Sequence, residues 1–176
     1  MEEFKSLLAS EFSPYGAVSP QQLTLLEEHY RLLLRWNRKI NLTRITSLQD
    51  AVRYHYCESL YLATRLPEGQ LRVVDIGSGA GFPGIPVAIY RPELSVDLVE
   101  SHQRKAVFLR EASRGLTNVC VLPRRAEGVT ASYDWTISRA VRPEDVVRLN
   151  LAPHVAVLGA EGENLPWGEN RALFMR

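Results

Sequence analysis

The sequence predicts an α/β protein in which a helical extension precedes a doubly wound, mostly parallel sheet. Before Leu66 the apolar pattern is helical throughout, whereas from Leu71 onward short apolar runs alternate with stretches of helical character. Pro67 and Gly69 punctuate the change between the two patterns. We therefore expect an N-terminal helical extension at residues 1–66 and a compact core at residues 67–176. A length of 176 residues with 45% hydrophobic content suits one folded unit of this size.

Three helices are expected in the extension. A weaker one covers residues 2–12, and a strongly amphipathic one covers residues 20–40. Ser19 is suited to cap the second helix and Pro20 to occupy its first turn. A third helix is expected at residues 47–64.

A basic stripe follows the second helix between two apolar arcs. It consists of Arg31, Arg35, Arg38 and the adjacent Lys39. A second basic segment holds six bases and one acid between positions 102 and 125, although the whole chain has 21 basic and 20 acidic residues. This near-neutral total excludes a protein that binds polyanions through a highly cationic tail. The local patches favour a polyanion-facing surface, and solvated helix faces are the alternative explanation.

Strands and helices then alternate along the rest of the chain. The expected strands cover residues 71–76, 95–100, 119–123, 133–139, 155–159 and 171–175, and the expected helices cover residues 83–90, 102–116 and 143–151. This order is typical of a parallel sheet with helical crossovers.

Several classes of site and location are disfavoured by composition. Two cysteines and four histidines, without metal-ligand spacing, indicate neither a disulfide framework nor a metal site. Apolar runs are too short for a membrane span, and acids stand where a signal peptide carries bases. We expect a cytoplasmic protein that does not use a membrane.

The strongest motif follows the first expected strand. Asp75 precedes Gly77, Gly79 and Gly81, which permit a sharp turn and the close approach of a ligand to the backbone. The dinucleotide-binding fingerprint G-x-G-x-x-G requires its third glycine at position 82, which is Phe here, so the sequence does not match that fingerprint. A carboxylate at position 75 repels a pyrophosphate but suits a ligand with an amino group and a sulfonium.

A second acid completes the ligand pattern. Glu100 ends the next strand, where a carboxylate can accept hydrogen bonds from both ribose hydroxyls. Together, Asp75 and Glu100 indicate S-adenosylmethionine. The alternative is an ordinary strand–helix turn beside a surface glutamate.

The stretch from Trp36 to Val141 resembles the bacterial 16S rRNA small-subunit methyltransferase G family, also called glucose-inhibited division protein B. The resemblance lies in WNRKINLT at 36–43, HYCESL at 55–60, DIGSGAGFPGIP at 75–86 and ISRA at 137–140. It implies a Rossmann-like class I S-adenosylmethionine-dependent methyltransferase sheet. It also implies methyl transfer to guanine N7 in 16S rRNA, with S-adenosylhomocysteine as product, on naked rRNA or the small ribosomal subunit. We expect the protein to act as a monomer.

The resemblance also places site residues on this chain. It implies cofactor contacts at Gly77, Phe82, Glu100, Ala126, Glu127 and Arg139. The glycine motif itself adds Asp75 and Gly79 to the expected cofactor contacts. The RNA contacts expected from the stripe and the family motifs are Arg31, Arg35, Arg38, Lys39, Asn41 and His55. Arg139 is the expected catalytic residue. It would orient cofactor and acceptor without moving a proton, since guanine N7 carries an in-plane lone pair and no proton.

The chain departs from the family pattern in two places. Glu58 stands where the family has Asp, which lengthens the side chain by one methylene. The C-terminal hairpin is shortened, so a vestigial strand is expected within residues 163–167. A small-molecule methyltransferase and a non-catalytic RNA-binding remnant are the competing functions; the first predicts no basic stripe, and the second predicts loss of the glycine motif or Glu100.

Overall fold

The computed structural model describes residues 2–176. Its α-helices are α1 (Glu2–Phe12), α2 (Pro20–Asn37), α3 (Leu48–Asp50), α4 (Glu58–Arg65), α5 (Gly84–Tyr90), α6 (Gln103–Ala112) and α7 (Pro143–Leu149). Its strands are β1 (Arg72–Ile76), β2 (Ser95–Val99), β3 (Val119–Leu122), β4 (Trp135–Arg139), β5 (His154–Gly159), β6 (Glu163–Asn164) and β7 (Ala172–Met175). A π-helical segment, Ala51–Cys57, joins α3 to α4. No helix in the described residues is long and apolar enough to cross a membrane.

The strands form one sheet in the order β3-β2-β1-β4-β5-β7-β6. Strands β1 to β5 are mutually parallel, and β7 runs antiparallel to both β5 and β6. This architecture confirms the predicted fold class, and strand β6 lies inside the segment expected to hold a vestigial strand. Since the carboxyl ends of β1, β2, β3 and β4 share one edge, the residues that follow these strands lie at a common edge.

Local capping explains where α2 begins and ends. Ser19 Oγ accepts a hydrogen bond from the Gln22 backbone at 3.1 Å, and Gln22 Oε1 accepts one from the Ser19 backbone at 2.9 Å. At the other end, Asn37 Oδ1 accepts from the backbones of Leu42 and Thr43 at 2.9 and 3.0 Å. That turn ends the helix three residues before the predicted end.

Three other helices differ from their predictions, and one of them, α7, ends at Leu149 rather than Leu151. Helix α6 ends at Ala112 rather than Leu116, because the backbone leaves the helical conformation at Ser113 and a turn follows, in which the Leu116 backbone donates to the Ser113 carbonyl at 2.9 Å. The third helix spans the expected residues but passes through the π-helical segment. Apolar periodicity does not distinguish one π-turn inside a helix, and such turns occur frequently at functional sites.

The helical extension and the sheet share one hydrophobic core. Phe4, Leu33 and Tyr56 from the extension are buried in the same cluster as Leu98 and Ile137 from the sheet. On the opposite face, α7 covers β5 through a separate small cluster. The extension therefore packs against the same face as α5 and α6, beside the glycine motif.

Candidate cofactor and acceptor site

The loop after β1 follows a path that requires glycine. Gly77, Gly79 and Gly81 have φ values of +67°, +54° and +95°, which lie in the left-handed region. The Gly77 and Ser78 backbones donate to the Val99 carbonyl at 2.9 and 3.1 Å. The loop is thereby tied to the end of the neighbouring strand β2.

Gly84 permits a close approach at the start of α5. A Cβ atom at this position would lie 2.3 Å from Leu98 Cδ2 and 2.6 Å from Asp75 Oδ2. The Gly84 backbone donates to Asp75 Oδ2 at 2.9 Å. A larger residue at position 84 would therefore force Leu98, Asp75 or α5 itself to shift.

Asp75 is completely buried beneath the loop. Its Oδ2 atom is occupied by Gly84, but Oδ1 has no hydrogen-bond partner among the described residues. Burial raises the pKa of Asp75 to about 8, against the opposing effect of the Gly84 hydrogen bond. A cationic ligand group would stabilise the ionised form, so the environment fits the amino or sulfonium group that the sequence indicated.

Glu100 connects the loop to the start of α6. Its Oε1 atom accepts from the Gly79 backbone at 2.8 Å, and Oε2 accepts from the His102 backbone at 2.9 Å. Each carboxylate oxygen has a further lone pair. The carboxylate is thus fixed in position and can still accept two ribose hydroxyls.

Ala126 and Glu127 form a single 3-10 turn beyond β3. Ala126 packs against the small cluster that contains Val74 and Val99, whereas Glu127 is exposed. The structure brings this turn to the same edge of the sheet as Glu100.

Arg139, His55 and Phe82 meet above the end of β4. The Arg139 guanidinium lies 5.0 Å from the Phe82 ring centroid, and the His55 ring stacks on Phe82 at 4.3 Å with an interplanar angle of 7°. Arg139 Nη1 lies 2.5 Å from His55 Nδ1 and 3.4 Å from the Tyr54 carbonyl oxygen. Three residues from distant parts of the sequence therefore form one contact group, which we call the Arg139 cluster.

The charge states in the Arg139 cluster follow from burial. Burial, with a further contribution from Arg139, lowers the pKa of His55 to about 2. The imidazole is therefore neutral, and because Nδ1 accepts from Arg139, Nε2 donates to Thr43 Oγ1 at 2.8 Å. Burial lowers the pKa of Arg139 to about 10, which leaves it charged at neutral pH.

The charge of Arg139 has no carboxylate beside it among the described residues. Among the described residues, its side chain forms no ion pair within 4.0 Å. A half-buried guanidinium without a carboxylate gains stability when an anionic group neutralises it. A ligand carboxylate or an RNA phosphate would do so.

The predicted RNA contacts divide into two groups. Arg31, Arg35, Arg38, Lys39 and Asn41 are exposed. His55 is only 2% exposed, and both of its ring nitrogens are engaged within the protein. This placement does not fit a direct RNA contact at His55 and instead puts its ring against Arg139.

Sequence reasoning missed a buried histidine that holds the glycine loop. His29 lies on α2 and is 2% exposed. Its Nε2 donates to the Ala80 carbonyl at 2.9 Å, and Nδ1 accepts from the Tyr56 hydroxyl at 2.8 Å. Burial lowers the pKa of His29 to about 4, so the ring is neutral. Its spacing from the buried residues Leu26 and Leu33 could have revealed its inward position.

Glu58, the departure from the family pattern, has a partner that sequence reasoning also missed. It is 1% exposed and forms a two-pronged ion pair with Arg171, whose Nη2 lies 2.9 Å from Oε1. The Arg171 guanidinium also lies 4.4 Å from the Tyr54 ring centroid. This contact joins the N-terminal helices to the segment before β7, so the side chain at position 58 links the helical extension to the C-terminal part of the sheet.

Solved structures share the fold at low sequence identity. Coclaurine N-methyltransferase bound to N-methylheliamine and SAH is 16% identical, with a TM-score of 0.54 over 89% of this chain and 56% of that chain. The [4+2]-cyclase SpnF is 18% identical, with a TM-score of 0.55 over 84% of this chain and 63% of that chain. Because a methyltransferase and a cyclase both match, these likenesses establish the fold alone.

Sequence relatives are more specific. The family described as rRNA small subunit methyltransferase G matches residues 22–160. Ribosomal RNA small subunit methyltransferase G of Desulforamulus reducens is 39% identical over 133 residues, which cover 70% of this chain and 55% of the relative. Ribosomal RNA small subunit methyltransferase G 1 of Syntrophobacter fumaroxidans is 42% identical over 148 residues, which cover 79% of this chain and 67% of the relative. The glycine loop, its two acids and the Arg139 cluster all lie inside the matched segment, and the chain belongs to the rRNA small subunit methyltransferase G family.

Proposed function

We propose that this chain transfers a methyl group from S-adenosylmethionine to N7 of a guanine in 16S rRNA. The observation that carries the proposal is the family match over residues 22–160, which contains the whole constellation of Asp75, Glu100 and Arg139. The chain spans between about half and two thirds of the length of the relatives described above, so the activity is inferred from this shared segment.

The described residues fit the cofactor at three points. The unpartnered oxygen of Asp75 suits a positively charged group, and the fixed carboxylate of Glu100 suits the ribose hydroxyls. The unpaired charge of Arg139 suits a carboxylate or phosphate. We further propose Gly77, Gly79, Phe82, Ala126 and Glu127 as cofactor contacts, which leaves the role of each to be tested by substitution.

The mechanism requires alignment rather than proton transfer. Bound S-adenosylmethionine supplies a methyl group that is already activated for attack. Guanine N7 offers its lone pair directly, so the protein needs only to place the two groups in line and exclude water. The neutral His55 and the stacked Phe82 hold Arg139 in place, and its planar donors can fix an anionic or guanine edge.

RNA is favoured over a small molecule as the acceptor. The four members of the basic stripe are exposed on α2 or directly after it, where they can meet phosphates. The intact glycine loop and Glu100 argue against a non-catalytic remnant. We propose that the protein acts as a cytoplasmic monomer on either naked 16S rRNA or the small ribosomal subunit.

Mass mapping of 7-methylguanosine in small-subunit rRNA tests the function. One modified guanine should disappear when the gene is deleted and return when the wild-type chain is expressed. Expression of Glu100→Ala should not restore it. An unchanged modification map in the deletion strain, in cells with no second gene of this family, would exclude the proposed reaction.

A further inference from the structure

Helices α2 and α6 lie side by side in opposite directions, with cationic side chains from both along their junction. At one end, a cavity of about 390 Å³ is lined by Arg31 and Arg35 from α2 and by Arg114, which follows α6. At the other end, a cavity of about 370 Å³ brings Lys39 against Arg104 and Lys105. The two basic segments, which are far apart in sequence, are therefore adjacent in space.

Neighbouring cavities along this junction share lining residues. A third cavity of about 290 Å³ is lined by Arg35, Trp36, Arg38 and Lys39. It shares Arg35 with the first cavity and Lys39 with the second. We call this row of three cavities the basic seam. Its cationic residues are Arg31, Arg35, Arg38, Lys39, Arg104, Lys105 and Arg114.

The charge along the basic seam increases toward one end. The acids that line it, Glu28 and Glu111, both lie in the first cavity. Glu111 already accepts a hydrogen bond from Trp36 Nε1 at 3.0 Å, and Arg31 is paired with Glu27 at 3.1 Å. Of the residues that the structure describes, no acid lines the second or the third cavity. The end formed by Lys39, Arg104 and Lys105 is thus the most cationic.

This cationic end adjoins the cofactor site. His102 also lines the second cavity, and its backbone donates to Glu100 Oε2 at 2.9 Å. A polyanion that follows the seam would therefore arrive at the carboxylate that we assign to the ribose of the cofactor.

We propose that the RNA segment flanking the target guanine lies in the basic seam, with its phosphates held between α2 and α6. This inference rests on the proposed function and adds the α6 wall, Arg104, Lys105 and Arg114, to the RNA contacts. A groove with cations on both walls suits a phosphate backbone, because each contact releases counterions from the RNA. The seam also gives the RNA a direction, since only one of its ends leads to the cofactor.

The test compares two variants that lose the same charge. The seam variant carries Arg104→Gln, Lys105→Gln and Arg114→Gln. The control variant carries Arg72→Gln, Arg148→Gln and Arg176→Gln, which are exposed outside both basic segments. Affinity for a 16S rRNA fragment is measured at salt concentrations between about 50 and 200 mM. Loss of three phosphate contacts should reduce the slope of log affinity against log salt by about 2 and weaken binding at least about tenfold at low salt. The control should retain the wild-type slope, and both variants should bind S-adenosylmethionine normally.

Different outcomes separate the two proposals. If wild type methylates the RNA while seam and control variants share its slope, the seam is wrong and the proposed function stands. If wild type neither binds nor methylates naked 16S rRNA or the small ribosomal subunit, the proposed function is wrong and the seam proposal, which rests on it, is wrong too. If the seam variant binds naked rRNA normally but loses affinity for the assembled subunit, the seam holds an acidic protein surface instead of RNA.

Discussion

The buried carboxyl group of Asp75 should make stability and cofactor binding depend on pH. Its folded-state pKa is about 8, whereas its ordinary value is 3.8. Between these values the folded chain keeps a proton that the unfolded chain has lost. The contribution of Asp75 to stability is therefore fully present below pH 3.8 and is lost as pH rises through 8.

The expected magnitude follows from one proton per molecule. A full proton difference changes the free energy of unfolding by about 1.4 kcal/mol per pH unit. Between about pH 5 and pH 7, Asp75 should thus lower stability by about 3 kcal/mol. Asp75→Asn removes the titration but retains an oxygen that can accept from the Gly84 backbone. The stability of this variant relative to wild type should therefore increase by the same amount over that range.

Urea unfolding of both proteins at several pH values measures this difference directly. Other groups, including Glu58, titrate in both proteins and cancel. A difference that does not change with pH would refute the assignment of the raised pKa. Calorimetry in buffers of different ionisation enthalpy adds a functional readout. Cofactor binding should release a proton from wild type below pH 8 and none from Asp75→Asn, which should also bind S-adenosylmethionine more weakly.

Substitutions at three further positions address the loop and the Arg139 cluster. Glu100→Ala should weaken S-adenosylmethionine binding by about 1–3 kcal/mol, because it removes charge-assisted hydrogen bonds. An unchanged affinity, measured by calorimetry, would contradict the assignment of Glu100 to the ribose. Arg139→Lys should preserve the thermal unfolding transition but impair single-turnover methyl transfer at every pH, since lysine keeps the charge and loses the planar donors. A near-normal single-turnover rate would show that Arg139 has only a structural role. His29→Leu should weaken S-adenosylmethionine binding, because it leaves the Ala80 carbonyl unpaired. His29→Gln can donate to that carbonyl and should restore most of the affinity. Equal affinities of the two variants for S-adenosylmethionine would show that the His29–Ala80 hydrogen bond does not hold the loop.

Local sequence signals were sufficient for the fold class and the cofactor loop. The alternation of short apolar runs with helices predicted the parallel strands, and Ser19 with Pro20 predicted the start of α2. Asp75, the three glycines and Glu100 were identified from their positions at strand ends. These features depend on residues close together in the chain, so periodicity, capping and turn chemistry reveal them.

The arrangement around Arg139 was decided by tertiary structure. His55 carries no sequence signal that it is buried against Phe82, and its expected RNA contact came from family motifs rather than from its surroundings. The Glu58–Arg171 pair joins positions 113 residues apart. The basic seam likewise requires the packing of α2 against α6. Burial and long-range contacts depend on which elements meet in space. The sequence by itself therefore determined the strands, the glycine loop and its acids. Only the packing of distant helices decided which charged side chains are buried, which are paired and which are left available to a ligand.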